Sequence, residues 1–453
     1  MVARRMIPAL VLVLIAMGLS DFAGVGHSVA QAQAKGNRAK KPARKTANRK
    51  TAGGKTGSVD VGDASWPQFL GPDRNNLSAE TGLLKKWPQG GPKLISTLRG
   101  LGVGFSNIAI EDGIVYSMGN QGEREHVFAL SLETGEKVWS YDNAPAYHNG
   151  FGDGPRGTPT LDGDLLYALG ANGDLACLNR ADGTKVWTKS LVKEFGTGIP
   201  SWGICESVLI DGDRLICTPG GRGATMVALN KLTGDVIWKQ ATPQGEGPAY
   251  ASIIEVEGAG VKQYVNYTAT GVVGMQADNG EFLWRDDSSA NGTANCSAPV
   301  FADGIVFTAS GYGKGASAVE LISADGKPGA KFSYHTNDLK VHHGGLVLLD
   351  GFVYGSNDPG ILTCVELKTG KTKWQNRSVG KGSVTYADGH IYLRSEGGPM
   401  ALVEATPSGY KEAGRFEPKD RSSSPAWSYP VVCGGKLFLR DQDILQIYDL
   451  RGN

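Results

Sequence analysis

The residues of this chain best equipped for chemistry are Arg156, Trp202, Glu206, Asn291, Asn295, His342, His343, Lys381 and Trp427. They fall in short irregular segments: Gly154-Pro-Arg156-Gly157, Trp202-Gly-Ile-Cys-Glu206, Asn291-Gly-Thr-Ala-Asn295, His342-His343-Gly-Gly, Lys381-Gly-Ser383 and Ala426-Trp427-Ser-Tyr429. Gly104-Phe-Ser-Asn107 and Ala249-Tyr250 occupy equivalent places. Guanidinium, carboxylate, carboxamide, imidazole, ammonium and indole groups converging on one place suit recognition of a polar small molecule or a peptide. The competing reading is that these side chains only satisfy neighbouring backbone groups around a polar, wet channel. The His342-His343 pair suggests a metal ligand set. Adjacent residues of a strand point to opposite faces, however, so one ligand-contacting or structural imidazole is expected there and no metal site.

Elements that gather such segments must repeat, and the sequence does. Val127 to Trp139, Leu175 to Trp187, Met226 to Trp238, Val272 to Trp284 and Leu362 to Trp374 share one design. Each is an apolar strand, a turn centred on Gly, and a short strand ending in Trp. A recurrence every 40–50 residues or so marks a propeller array. Asp-Gly pairs between apolar runs form a second series: Asp112-Gly113, Asp162-Gly163, Asp211-Gly212, Asp303-Gly304, Asp350-Gly351 and Asp388-Gly389. Asp-Gly flanked by alternating apolar residues is a hairpin signal. With looser copies at Glu257-Gly258 and Gly434-Gly435, and degenerate second turns leading to Phe332 and Phe416, both series predict eight units of four strands. The last unit ends after three strands, and Lys93–Leu98 is a spare strand upstream. Pairing the two closes the ring and removes an open edge. The segments named above join each outer strand to the next inner strand, so they meet at one mouth of the channel.

The flanks are of another kind. Arg4-Arg5, an apolar run from Ile7 to Leu19 and small residues at Ser28-Val29-Ala30 and Ala32-Gln33-Ala34 read as a signal peptide over 1–32, with an uncleaved anchor as the alternative. Residues 33–64, rich in Lys, Arg, Ala, Gly and Thr, read as a disordered basic linker, a solvated spacer or a contact to anionic surfaces. The propeller is assigned to 65–453. The chain carries 46 Lys and Arg against 45 Asp and Glu, but from residue 65 onward the count is 35 against 42, a net −7. A propeller of that charge is not a nucleic-acid binder. Six cysteines form no vicinal pair. Cys177 and Cys364 take the slot of Ala129 and Ala228, as small buried residues.

Ala129…Thr134-Gly135…Trp139 and Ala228…Thr233-Gly234…Trp238 resemble the tryptophan docking motif of pyrroloquinoline-quinone (PQQ)-type propellers, over essentially residues 90–453. Trp66-Pro-Gln-Phe-Leu-Gly-Pro-Asp-Arg74 looks like the start of exported PQQ-binding-like propellers of planctomycete-type bacteria. The resemblance implies an all-β, eight-bladed propeller, BamB-like or quinoprotein-like. Its dehydrogenase branch implies PQQ held between a Trp and a vicinal disulfide, with Ca²⁺ on Glu, Asn and Asp. Its BamB branch implies protein binding. No Cys-Cys pair exists here and the calcium ligand set finds no matching segment. The expected protein is therefore an exported monomer of the periplasm or cell envelope. It acts as a non-catalytic binding or scaffolding module for an envelope protein or small polar ligand. A PQQ-dependent alcohol or polymer dehydrogenase is the alternative.

Overall fold

A computed structural model describes residues 58–452. The signal segment and most of the linker lie outside that range. Eight four-stranded antiparallel sheets follow one another as blades. Blade 1 starts at Ala109–Glu111, blade 2 at Thr160–Asp162, blade 3 at Leu209–Asp211 and blade 4 at Ile254–Gly258. Blade 5 starts at Val300–Ala302, blade 6 at Val347–Leu349, blade 7 at Gly382–Ala387 and blade 8 at Val431–Cys433. The expected closure is present: Lys93–Arg99 pairs antiparallel with Ile444–Asp449 as the outer strand of blade 8.

Turn chemistry builds the blades. At Asp112-Gly113, Asp303-Gly304, Asp350-Gly351 and Asp388-Gly389 both residues have positive φ, the conformation of a two-residue hairpin whose twist matches its strands. The tryptophans then join blade to blade. The indole N–H of Trp139 donates to Arg180 O (3.0 Å), that of Trp187 to Lys231 O (3.0 Å), and that of Trp374 to Thr406 O (2.7 Å), each acceptor lying in the next blade. Beneath the Trp139 and Trp187 rings lie the turn glycines of the next blade, Gly183 and Gly234. A Cβ on Gly183 would stand 2.6 Å from the Trp139 ring, so only glycine fits. Cys177 and Cys364 are buried among these contacts, and all six cysteines are free.

Two degenerate copies differ from expectation. In blade 5 the Trp place, opposite Ala318, is held by Tyr334, whose hydroxyl donates to Leu367 O, whereas Phe332 is half exposed. In blade 7 it is Gly414, opposite Leu402, and Trp87 from the N-terminal chain packs on it, edge-on to Tyr392 at 5.8 Å and Phe416 at 5.2 Å. A strand too short of aromatics thus borrows one from elsewhere in the chain.

The N-terminal chain does more. The linker expected up to residue 64 gives way earlier: Val59 and Val61 are buried in the apolar cluster shared by blades 1 and 8, and Val59 N–H donates to Leu132 O at 3.0 Å. Residues 66–78 then cross the axis as a strap. Trp66 exchanges backbone hydrogen bonds with Ile110 in blade 1, and Pro67 O accepts from Leu161 N–H in blade 2. Arg74 donates to Ser207 O, Val208 O and Ile253 O at the inner edges of blades 3 and 4. Leu77–Ser78 adds a parallel strand to blade 7, and Ser78 donates to Val432 O in blade 8. The expected wet channel is therefore filled on one side by the chain itself.

Candidate functional site

In an antiparallel four-stranded blade, the turn between the second and third strands returns to the same end as the connection to the next blade. Above the strap, both kinds of segment surround a one-ended funnel of about 300 Å³. Its lining is mainly aromatic. Phe151, Trp202 and Tyr250 form one arc, with ring centroids 5.7 and 5.5 Å apart. Phe105, Trp427, His343, His342 and Tyr312 form the other, at successive spacings of 4.5, 6.1, 5.3 and 4.9 Å. Phe69 of the strap, edge-on to Tyr429 at 5.2 Å, closes the inner end.

Of the residues singled out in the sequence, Arg156, Trp202, His342, His343 and Trp427 line this funnel. Arg156 lies against the second arc, its guanidinium 5.1 Å from the Phe105 ring and 5.0 Å from the Tyr147 ring. Its terminal nitrogens donate to Gly154 O and, at 2.7 Å, to Gly152 O. Both histidines face the funnel, contrary to strand alternation, because Val341 to Gly345 form an irregular connection and no strand.

Glu206, Asn291, Asn295 and Lys381 do not line it. Glu206 is only 3 % exposed and its carboxylate accepts from Thr218 N–H (2.7 Å) and Thr218 Oγ1 (3.0 Å). Burial pushes its carboxyl up to about 7. Asn291 and Asn295 bond each other and the carbonyls of Thr268, Ala269 and Ala294, which fixes the loop between blades 4 and 5. Lys381 stands behind the wall. Asn291 and Asn295 mainly serve neighbouring backbone, whereas Lys381 bonds the side chains of Glu396 and His342.

Two lining residues come from second-to-third-strand turns: Tyr312 in blade 5 and Glu396 in blade 7. Glu396 accepts from the Trp427 indole N–H at 2.8 Å and pairs with Lys381 at 3.1 Å. The facing His343 ring, the Trp427 N–H and the Lys381 ammonium hold its carboxyl well below the usual carboxylate range. Lys381 Nζ also lies 2.9 Å from His342 Nδ1, and His342 Nε2 lies 2.9 Å from Tyr312 Oη. An ammonium only donates, so Nδ1 accepts, Nε2 carries the proton and gives it to Tyr312 Oη. Tyr312 is left with its own O–H free to donate. Desolvation, then His343 and Lys381, lower the His342 pKa to about 4, which keeps the ring neutral.

A family model described as outer membrane protein assembly factor BamB matches residues 123–376. The chain belongs to that family, the PQQ-like and BamB-like propellers. BamB from Moraxella catarrhalis superposes with a TM-score of 0.56 at 13% identity, covering 80% of this chain and 98% of that one. The quinohemoprotein alcohol dehydrogenase of Comamonas testosteroni gives 0.62 at 14% identity, covering 86% and 81%. The computationally designed protein Ika8 gives 0.58 at 11%, covering 79% and 100%. At these identities the likeness is one of fold. No curated protein matches the sequence significantly.

The quinone and Ca²⁺ raised by the resemblance do not fit this funnel. Glu396 is the single carboxylate of its lining among the described residues, whereas the ligand set implied by the resemblance needs a Glu and an Asp besides an Asn. Among the described residues no three His, Cys, Asp or Glu side chains group to hold a metal ion. The thiols on the funnel, Cys205 and Cys296, come from different connections and are free.

Proposed function

We propose that the protein is an exported, non-catalytic binding module of the cell envelope, of the type its Trp66–Arg74 segment resembles, which captures a ligand in the axial funnel. One observation carries this reading: an aromatic collar closed at its inner end by the strap, with Tyr312 and Glu396 as fixed donor and acceptor. A binding role suits the titratable groups better than a catalytic one. His342 is neutral and tied at both nitrogens. Burial pushes the Cys205 thiol up to about 11 and the Cys296 thiol higher still, away from reactive thiolate. A monomer is expected, and the net −7 of residues 65–453 argues against nucleic acid as partner.

The test is a titration of the purified protein with PQQ and Ca²⁺, followed by a dye-linked alcohol oxidation assay. No stoichiometric binding and no turnover are expected. Tight binding with turnover would establish the dehydrogenase reading instead.

A further inference from the structure

The funnel's wall chemistry specifies its ligand further, on the premise that the funnel is a binding site. We propose that it takes a neutral pyranose ring, free or at the end of a glycan.

The collar supplies the first argument. Neighbouring rings are tilted or edge-on, at 39° for Phe105 and Trp427, 50° for Phe151 and Trp202, 76° for Trp202 and Tyr250. They enclose a rounded space and not a slot between parallel plates. A chair-shaped ring with C–H groups on both faces buries apolar area against such walls; a flat heterocycle stacks on one of them at best.

Polar groups supply the second. Tyr312 offers a donor whose direction is set by His342, and Glu396 offers an acceptor through lone pairs left after Trp427 and Lys381. His343 is 12 % exposed at the side chain; its Nε2 faces Glu396 Oε2 at 3.8 Å, and neither ring nitrogen has a partner within hydrogen-bond distance. A half-turn of that ring exchanges each nitrogen with a ring carbon, so it can present one donor or one acceptor. A hydroxyl both donates and accepts, so a ring carrying several answers all three residues.

Charge supplies the third. The lining carries both signs of charge: ionised Glu396 repels a carboxylate or phosphate, and Arg156, with two of its five N–H groups taken by Gly152 O and Gly154 O, repels a cation, so a neutral ligand meets the least opposition. A quaternary ammonium would meet Arg156 beside the collar and Lys381 behind it, and would leave the Tyr312 donor idle.

The experiment titrates the full chain with methyl glucoside, galactoside and mannoside, N-acetylglucosamine, cellobiose and chitobiose, and in a second arm with indole and 4-hydroxybenzoate. Intrinsic Trp fluorescence and saturation-transfer NMR report binding. At least one sugar should bind at millimolar concentration or below. Trp427→Ala should weaken it about tenfold or more, and Tyr312→Phe about threefold to tenfold, with melting temperatures close to wild type. A disaccharide preferred over its methyl monosaccharide would mark a glycan end. Aromatic probes that bind through Trp427 while no sugar does would overturn the pyranose assignment and leave the binding module standing. Silence in both arms would overturn both.

Discussion

The two ends of the axis use the same residue types to opposite effect. At the strap end, Arg74 is buried and makes four hydrogen bonds: to Gln68 Oε1 and to the carbonyls of Ser207, Val208 and Ile253. At the funnel end, Arg156 lies against the Phe105 and Tyr147 rings and its Nε has no partner. The carboxylates divide the same way. Glu206 is pushed up to about 7 by burial, whereas the His343 ring, the Trp427 N–H and the Lys381 ammonium hold Glu396 far below the carboxylate range. A polar group that neighbouring backbone answers is architecture. One that faces an aromatic cavity with bonding capacity left over belongs to a site.

The largest effect should come from breaking the strap. Arg74→Ala strips donors from three buried carbonyls and should cost about 3–5 kcal/mol in denaturant unfolding. Near-wild-type stability would mean that the strap rests on the ring without holding it.

A smaller effect separates the two glutamates. Glu206 has a folded-state pKa raised from 4.5 to about 7. The stability it contributes is present below the unfolded value and lost as pH rises through that window. Glu206→Gln should therefore flatten the melting temperature between about pH 4.5 and 7 relative to wild type. An unchanged profile would show that the carboxyl is already ionised in the folded protein.

The smallest effect is local. By ¹⁵N NMR, His342 should stay an Nε2–H tautomer and remain neutral until pH falls to about 4. Because its folded pKa is lowered, its contribution to stability is present above the unfolded value near 6.5 and lost as pH falls from there toward 4. Lys381→Met should release the tautomer and raise the pKa. A ring that titrates near 6.5 in the wild type would break the assigned hydrogen-bond chain.

The sites not legible in the sequence have physical reasons. Tyr312 and Glu396 sit in turns within blades and not in the connections between blades, although antiparallel alternation brings both kinds of segment to one end. Strand alternation would send His342 and His343 to opposite faces, but their segment is irregular and its sequence carries no sign of that. Glu206 and Asn295 stand in the expected segments, but a segment's place does not say which way each side chain turns.

Blade number, ring closure by the strand expected at 93–98 and the gathering of the variable segments at one end followed from the sequence alone. Hairpin turns and docking tryptophans are local patterns, and repetition makes them readable. The strap, the borrowed Trp87 and the choice of which residues face the funnel were decided by tertiary structure. They rest on contacts such as Arg74 with Ile253, 179 residues apart, and Asn76 with Val384, 308 apart, which no local pattern encodes.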